Sequence, residues 1–519
     1  MSAQDFDKSF EDELEKILGE DNSSAIDKNL QKEFVFVDGE HEYDLNPHTA
    51  SYSSESQILG SLYEGLFSYN PSSLEAENAL AVSYRISRNK KRWTFTLREN
   101  LQWSDGTTLS AKDVEDSWIA LLEEKAAPYA SLFDCIEGAK EFREGKVSRD
   151  AVGIRAMSAT KIVLTLQTPA GYLPRILCHS AFAICKKNLN VFSGAYTLSF
   201  DAEKNLVLQK NKNYWDYENV HLEKIIVKQS SDADENAFLF NTGNADWISG
   251  NTNAQKLLAK NVAQVNAEFA SEYLFFKIRD GSIWNDADFR LALLEAVPWD
   301  ELRNDSLVKA ETFVYPINNY PNVEGFSYTD LDEAKELMKN ARKKNAIAQN
   351  KKLTLIFAIV DSDYMKKMAN LLSEAWAPLG VEVQVQTASS DRYLANIESW
   401  NADLFSYTWI GDFADALSFL ELFRGDASFN ASHWKNSEFD NLLLEASNFT
   451  DENRSKLLAK AEQLLLDSGM ILPISHPVSY NIIDLKKIGG WHPNAFDIHP
   501  FKFLYKKNFS ESLPNIVKK

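Results

Sequence analysis

The chain has 519 residues, 44% of them hydrophobic and 25% charged, which is ordinary for a soluble protein but exceeds the roughly 250–300 residues at which one core stops growing, so two or three domains are expected. Its 75 acidic residues outweigh 55 basic ones, for a net charge of −20. That argues against nucleic acid, which needs a basic face, and against tight lying on anionic lipid.

Residues 1–32 read as an acidic tail or linker. Phe6, Phe10, Leu14, Ile17 and Leu18 share one helical face there. The segment lacks the basic start and apolar run of a signal peptide. Two readings stay open, a cytoplasmic protein and a processed or recombinant form. No stretch approaches the roughly 18 consecutive apolar residues of a membrane span.

The globular part opens with FVFV after Glu33, a strand. SESQILGSLYEGLF, from Ser54, is a helix. WTFTLR, Trp93 to Arg98, alternates with the period of a half-buried strand. Ser104-Asp105-Gly106 is a tight turn, and Ser110 to Asp113 a capping box opening a helix that carries Val114, Trp118 and Leu121. ATKIVLTLQT and NLVLQK are further strands.

The second half changes character. TDLDEAKELMKNARKK is a capped helix. LTLIFAIV, Leu353 to Val360, is an apolar run suited to a strand buried on both faces. The helix DYMKKMANLLSEAWAPLG stops at Pro378 and Gly380, and VEVQVQTA follows, completing a parallel strand–helix–strand unit. DLFSYTWI, Asp403 to Ile410, is a third strand. ADALSFLELF, SEFDNLLLEAS and KLLAKAEQLLLD are helices. No internal repeat stands out.

Catalytic signatures are absent from the sequence: no GxSxG, HExxH, GxxxxGK[ST], GxGxxG or EF-hand loop occurs. The eight histidines are scattered, with His492 and His499 too loosely spaced to suggest a metal site. Cys135, Cys178 and Cys185 form no framework. Buried thiols are the expectation, with a Cys178–Cys185 pair left open. No enzyme activity, metal or cofactor is expected.

In open α/β sheets, ligands sit outside the carboxyl ends of strands. A strand ends within Tyr407-Thr408-Trp409-Ile410-Gly411-Asp412, which places Trp409, Gly411 and Asp412 at a ligand crevice. A carboxylate there suits an ammonium group through charge pairing and hydrogen bonds. Asp412 and Asp415 also read as helix-start acids.

Motifs over about residues 43–507 carry a resemblance. LNPHTA at Leu45, LYEGLF at Leu62, SGAYTL at Ser193, KNKNYW at Lys210, FNTGNADW at Phe240, WNDADFRLALLEAV at Trp284 and ILPISHP at Ile471 occur in order. RWTFTLRENLQWSDGTTLSAKDVEDSW, from Arg92, is the most distinctive. Together they resemble the peptide-binding components of ABC transporters, extracytoplasmic solute-binding protein family 5. APYAS (Ala127 to Ser131) and WIGDF (Trp409 to Phe413) bring the chain nearest the oligopeptide-binding type.

The resemblance implies an α/β, two-lobed periplasmic-binding-protein-like fold (type II, cluster C) with an extra subdomain and a hinge. Lobe I would comprise 33–58, 188–246 and 477–519, the subdomain 59–187, and lobe II 247–476. It implies a monomeric importer component outside the cytoplasm, with or without a lipid anchor, that binds short peptides and delivers them to membrane permease subunits. Asp412 would pair with the peptide α-amino group, Trp409 would line a side-chain pocket, and Tyr129 would lie near the first residue. Main-chain groups near Ser53 and Thr408 would pair with an extended peptide. Gly411 and Trp247 complete the expected ligand-binding set. The chain departs from relatives that anchor the peptide carboxylate on basic side chains: Ser406, Tyr364 and Met365 stand at those positions. Another small solute, or an adhesin or chaperone-like role on the same fold, is the alternative.

Overall fold

A computed structural model describes residues 33–50, 53–397, 399–427 and 430–507; the expected tail helix lies outside them. Two large sheets organise the molecule. One has seven strands, in the order Ala263–Ala267, Val478–Ile483, Trp247–Ser249, Glu33–Asp38, Lys224–Gln229, Leu206–Lys210, Tyr196–Phe200. The other has five: Val381–Ala388, Leu353–Val360, Leu404–Ile410, Ala270–Phe276, Ile471–Ser475. A four-stranded antiparallel sheet (Ala81–Ile86, Arg92–Leu97, Lys161–Thr165, Ile154–Ser158) forms the subdomain.

Local chemistry explains the elements read from sequence. The apolar run Leu353–Val360 pairs in parallel with Val381–Ala388 over its whole length. The helix between them, Asp363–Trp376, is capped by the Ser362 hydroxyl accepting the Met365 N–H, and Gly380 closes the unit at φ 74°. The capping box at Ser110 and Asp113 opens helix Ala111–Glu123, which buries Val114, Trp118 and Leu121.

Several expectations are corrected. The first helix spans only Ser53–Leu62. A Cβ at Gly65 would lie 2.8 Å from the Leu177 carbonyl oxygen, so close main-chain packing follows the helix where its sequence continued apolar. ADALSFLELF yields only Leu417–Leu420 as α-helix, followed by a 3₁₀ turn. All three cysteines are free, so Cys178 and Cys185 are not paired. Trp247–Ser249 and Ala263–Ala267 hydrogen-bond within the seven-stranded sheet, so the division between sheets falls after residue 267 rather than at 247. The subdomain is also less separate than its strands suggest. Its buried side chains, from Leu66 to Ile184, form one continuous core with those from Phe269 to Ile474, whereas Phe34, Phe36, Trp247 and Phe501 belong to another.

The chain passes between the large sheets twice, at 268–269 and 476–477. The two crossings lie side by side, with the Glu268 N–H donating to the Pro477 carbonyl at 2.7 Å. This geometry makes a hinge. Among the described residues no helix is long and apolar enough to cross a membrane.

Candidate functional site

A cavity of about 370 Å³ lies where both sheets and the subdomain meet, within the size range of small-ligand sites. The seven-stranded lobe contributes Phe36 and Trp247 to its wall, the subdomain Tyr129 and His179, and the five-stranded lobe Gly411 and Asp412.

Asp412 is positioned from its neighbours outward. Strand Leu404–Ile410 pairs antiparallel with Ala270–Phe276, and the Gly411 N–H continues that ladder to the Phe269 carbonyl at 2.7 Å. A Cβ on Gly411 would fall 2.3 Å from the Phe269 ring, so only glycine fits. The Asp412 N–H then donates to the Ser418 hydroxyl at 2.7 Å. Its backbone is thus fixed, yet among the described residues nothing hydrogen-bonds to or ion-pairs with its half-buried carboxylate. Burial, and then the charge of Glu421, push its pKa up to about 7.

Tyr129 and His179 share the cavity wall with this carboxylate. The Tyr129 phenol is pushed up to about 12 by burial and next by the charge of Asp412. The Tyr129 ring lies 4.2 Å from that of His179. His179 Nδ1 accepts the Ala181 N–H at 3.1 Å, which assigns the proton to Nε2, and burial lowers its pKa to about 4. It is therefore neutral near pH 7 and brings no cation to the site.

The other expected residues divide. Trp247 lies in the cavity wall, its ring 4.3 Å from Phe36. Its indole N–H is already given to Asn481 Oδ1 at 2.8 Å, so it offers an apolar face only. Ser53 opens a helix from which Ser56 and Gln57 reach the cavity. Trp409 lies outside the cavity wall; its indole N–H is held by the Ser418 carbonyl at 2.8 Å. Thr408 is exposed at the strand edge. Contacts from Gly411 to Phe269 and from Lys277 to Asp403 turn the odd-numbered residues toward Ala270–Phe276, and by alternation Thr408 turns its N–H and C=O the other way. On that side, pairing with Leu353–Val360 stops at Ala358 opposite Phe405. The Tyr393 hydroxyl fills the split. It accepts the Ser406 N–H at 2.9 Å and faces the carbonyl oxygens of Ser406 and Ala358 at 2.9 and 3.2 Å. Thr408 therefore lies beyond the last paired residue, on an open main-chain edge.

Position 415 does not face the cavity. Asp415 is buried and bound by Arg454 through two 2.8 Å contacts and by Arg175 at 3.0 Å. Burial alone would raise its pKa, but Arg454 and then Arg175 hold it below the usual carboxylate range. Its Oδ1 also accepts the Leu417 N–H at 3.0 Å, which retains part of the helix-start reading. Positions 364, 365 and 406 bring no basic side chain to the site, in keeping with the departure read from sequence. Ser406 is buried, Met365 is buried, and the Tyr364 hydroxyl donates to Glu272 at 3.1 Å. His499 stacks 4.0 Å from Trp491 and contacts Asp497 at 3.1 Å, as a satisfied core histidine. No metal-ligand cluster occurs among the described residues.

Sequence reasoning missed four acids in the cavity wall: Asp38, Glu64, Glu268 and Asp497. Glu64 lies within LYEGLF, read only as part of a helix, and the other three sit in no motif. For Glu268 a signal was available in Pro477 after a closing strand, which marks a chain crossing.

Two α/β lobes joined by paired crossings, with an open site between them, define a hinged solute-binding protein. Residues 75–431 match the family described as bacterial extracellular solute-binding proteins, family 5 Middle, and the chain belongs to that family. It is 26% identical to the dipeptide-binding protein DppE of Bacillus subtilis, over 90% of this chain and 94% of that one. It is also 26% identical to the periplasmic oligopeptide-binding protein OppA of Salmonella typhimurium, over 89% of this chain and 90% of that protein. The fold matches the unliganded open form of the periplasmic murein tripeptide-binding protein MppA with a TM-score of 0.79, covering 92% of this chain and 98% of that one at 24% identity.

Proposed function

We propose that this protein captures short peptides in extended form between its lobes and delivers them, as a monomer outside the cytoplasm, to the permease of an ABC importer. The observation that carries this reading is the Asp412 carboxylate, fixed at its backbone, withdrawn from water and unpartnered among the described residues. An unpaired buried charge is costly, and a peptide α-ammonium supplies the missing partner with charge and directional hydrogen bonds. Tyr129 packs beside the first residue. Trp247 gives an apolar floor. The open edge at Thr408 and the main chain near Ser53 pair with the peptide backbone whatever its sequence. Gly411 keeps that edge close, and Trp409 walls a pocket once the lobes close. Closure follows because a ligand touching both lobes binds the closed state better. No covalent chemistry is part of this role.

Calorimetry with a free tripeptide and its N-acetylated form tests the reading. The free peptide should bind and the acetylated form should not. Equal binding of both would remove Asp412 from ammonium recognition.

A further inference from the structure

The cavity wall carries five carboxylates, Asp38, Glu64, Glu268, Asp412 and Asp497, against a single Lys502 and no arginine among the described residues. Lys502 is already spent: its ammonium donates to Glu64 Oε1 at 2.8 Å. Asp38 is held by neutral donors, the Tyr43 hydroxyl at 2.8 Å and the Gly39 N–H at 2.9 Å. Asp497 accepts from Asn481 Nδ2 at 2.7 Å and faces His499 Nε2 at 3.1 Å. Lys502 thus neutralises Glu64, whereas among the described residues no lysine or arginine pairs with Asp38 or Asp497.

Glu268 differs from its neighbours. Like Asp412, its carboxylate has no hydrogen-bond or ion-pair partner among the described residues. Its main chain is fixed in the hinge through the 2.7 Å bond to Pro477. The two unpartnered acids occupy different charge surroundings. Burial and Asp497 raise the Glu268 pKa, whereas burial and Glu421 raise that of Asp412. One ammonium at Asp412 leaves the Glu268 side of the cavity uncompensated.

We propose that Glu268, in the field of Asp497, is a second cation-binding point of the cleft, and that the ligands are peptides carrying a lysine or arginine side chain besides their free α-amino group. The inference rests on the peptide reading of the same cavity and narrows its substrate class. Two separated cations would satisfy both acids, and a low-dielectric cleft lined by one sign of charge disfavours ligands lacking the second cation. The carboxyl end of the ligand finds no free cation in this wall, so it must reach solvent or another part of the cleft.

Calorimetry on the full chain, with alanine tripeptides bearing lysine at each position in turn and matched norleucine peptides, tests the proposal. At one or more positions the lysine peptide should bind about tenfold tighter than its norleucine match. Glu268→Gln should bring that ratio to within about twofold while leaving norleucine binding unchanged. Equal binding of lysine and norleucine peptides, or a ratio untouched by Glu268→Gln, overturns the second cation point and leaves the peptide reading standing. Failure of every peptide to bind the unmodified protein, with a melting-temperature shift by 1,5-diaminopentane alone, overturns both.

Discussion

Asp412 and Asp415 stand on one short loop, and each is drawn away from water, yet their surroundings oppose each other. Asp415 joins the subdomain to the five-stranded lobe through Arg175 and Arg454. Asp412 faces the cavity with no partner among the described residues, and its pKa rises to about 7 while that of Asp415 falls. Burial acts on both in the same direction, so burial cannot account for the contrast. The presence or absence of a facing cation decides it. The buried pair fastens the structure, and the unpaired acid is available to a ligand.

The contrast can be broken from the Asp415 side first. Arg454→Ala should lower unfolding free energy by about 3–5 kcal/mol, because it leaves a buried carboxylate with only Arg175. Denaturant titration measures this, and a loss under about 1 kcal/mol would put Asp415 in the class of weak surface pairs. On the cavity side, Asp412→Ala should cost about 2–4 kcal/mol of peptide affinity by calorimetry, since the ligand ammonium is left buried and unpaired. Its unfolding transition should not fall, because no partner is lost. Undiminished peptide binding in that variant would end the proposed role of Asp412.

Tyr393→Phe addresses the open edge beside the loop. It removes the hydroxyl that accepts the Ser406 N–H, and should cost about 1–3 kcal/mol in denaturant unfolding. No change would mean that water replaces the hydroxyl without loss. The smallest effect is a pH slope. The native Asp412 carboxyl holds its proton up to about pH 7, whereas in the unfolded chain it releases it near pH 4. The contribution of the group to stability is therefore full in acid and declines as pH rises through about 4 to 7. Melting temperatures should show Asp412→Asn gaining on the unmodified protein over that window and then levelling off. Peptide affinity should rise over the same window, since the ammonium needs the ionised carboxylate. A flat difference between the two proteins would show that Asp412 titrates as an ordinary exposed acid.

Much of the fold was legible in the sequence. The run Leu353–Val360 is apolar enough to be only a central strand, and Ser110 with Asp113 states a helix start in its own side chains. Apolar pattern failed where a close approach ends an element, as at Gly65, because the neighbouring main chain is far away in sequence. The boundary at 247 failed for a related reason. A short strand such as Trp247–Ser249 takes its sheet from its partners, and those partners are Glu33–Asp38 and Val478–Ile483.

By itself the sequence determined most of the elements, the two-lobed α/β class and the strand end that carries Asp412. These follow from periodicity and capping, which act within a few residues. Tertiary structure alone decided that Asp415 is bound by two arginines while Asp412 is left unpaired among the described residues, and that Glu268 shares its cavity. Charge pairing is set by distance in space, and Arg175, Asp415 and Arg454 are brought together from separate parts of the chain.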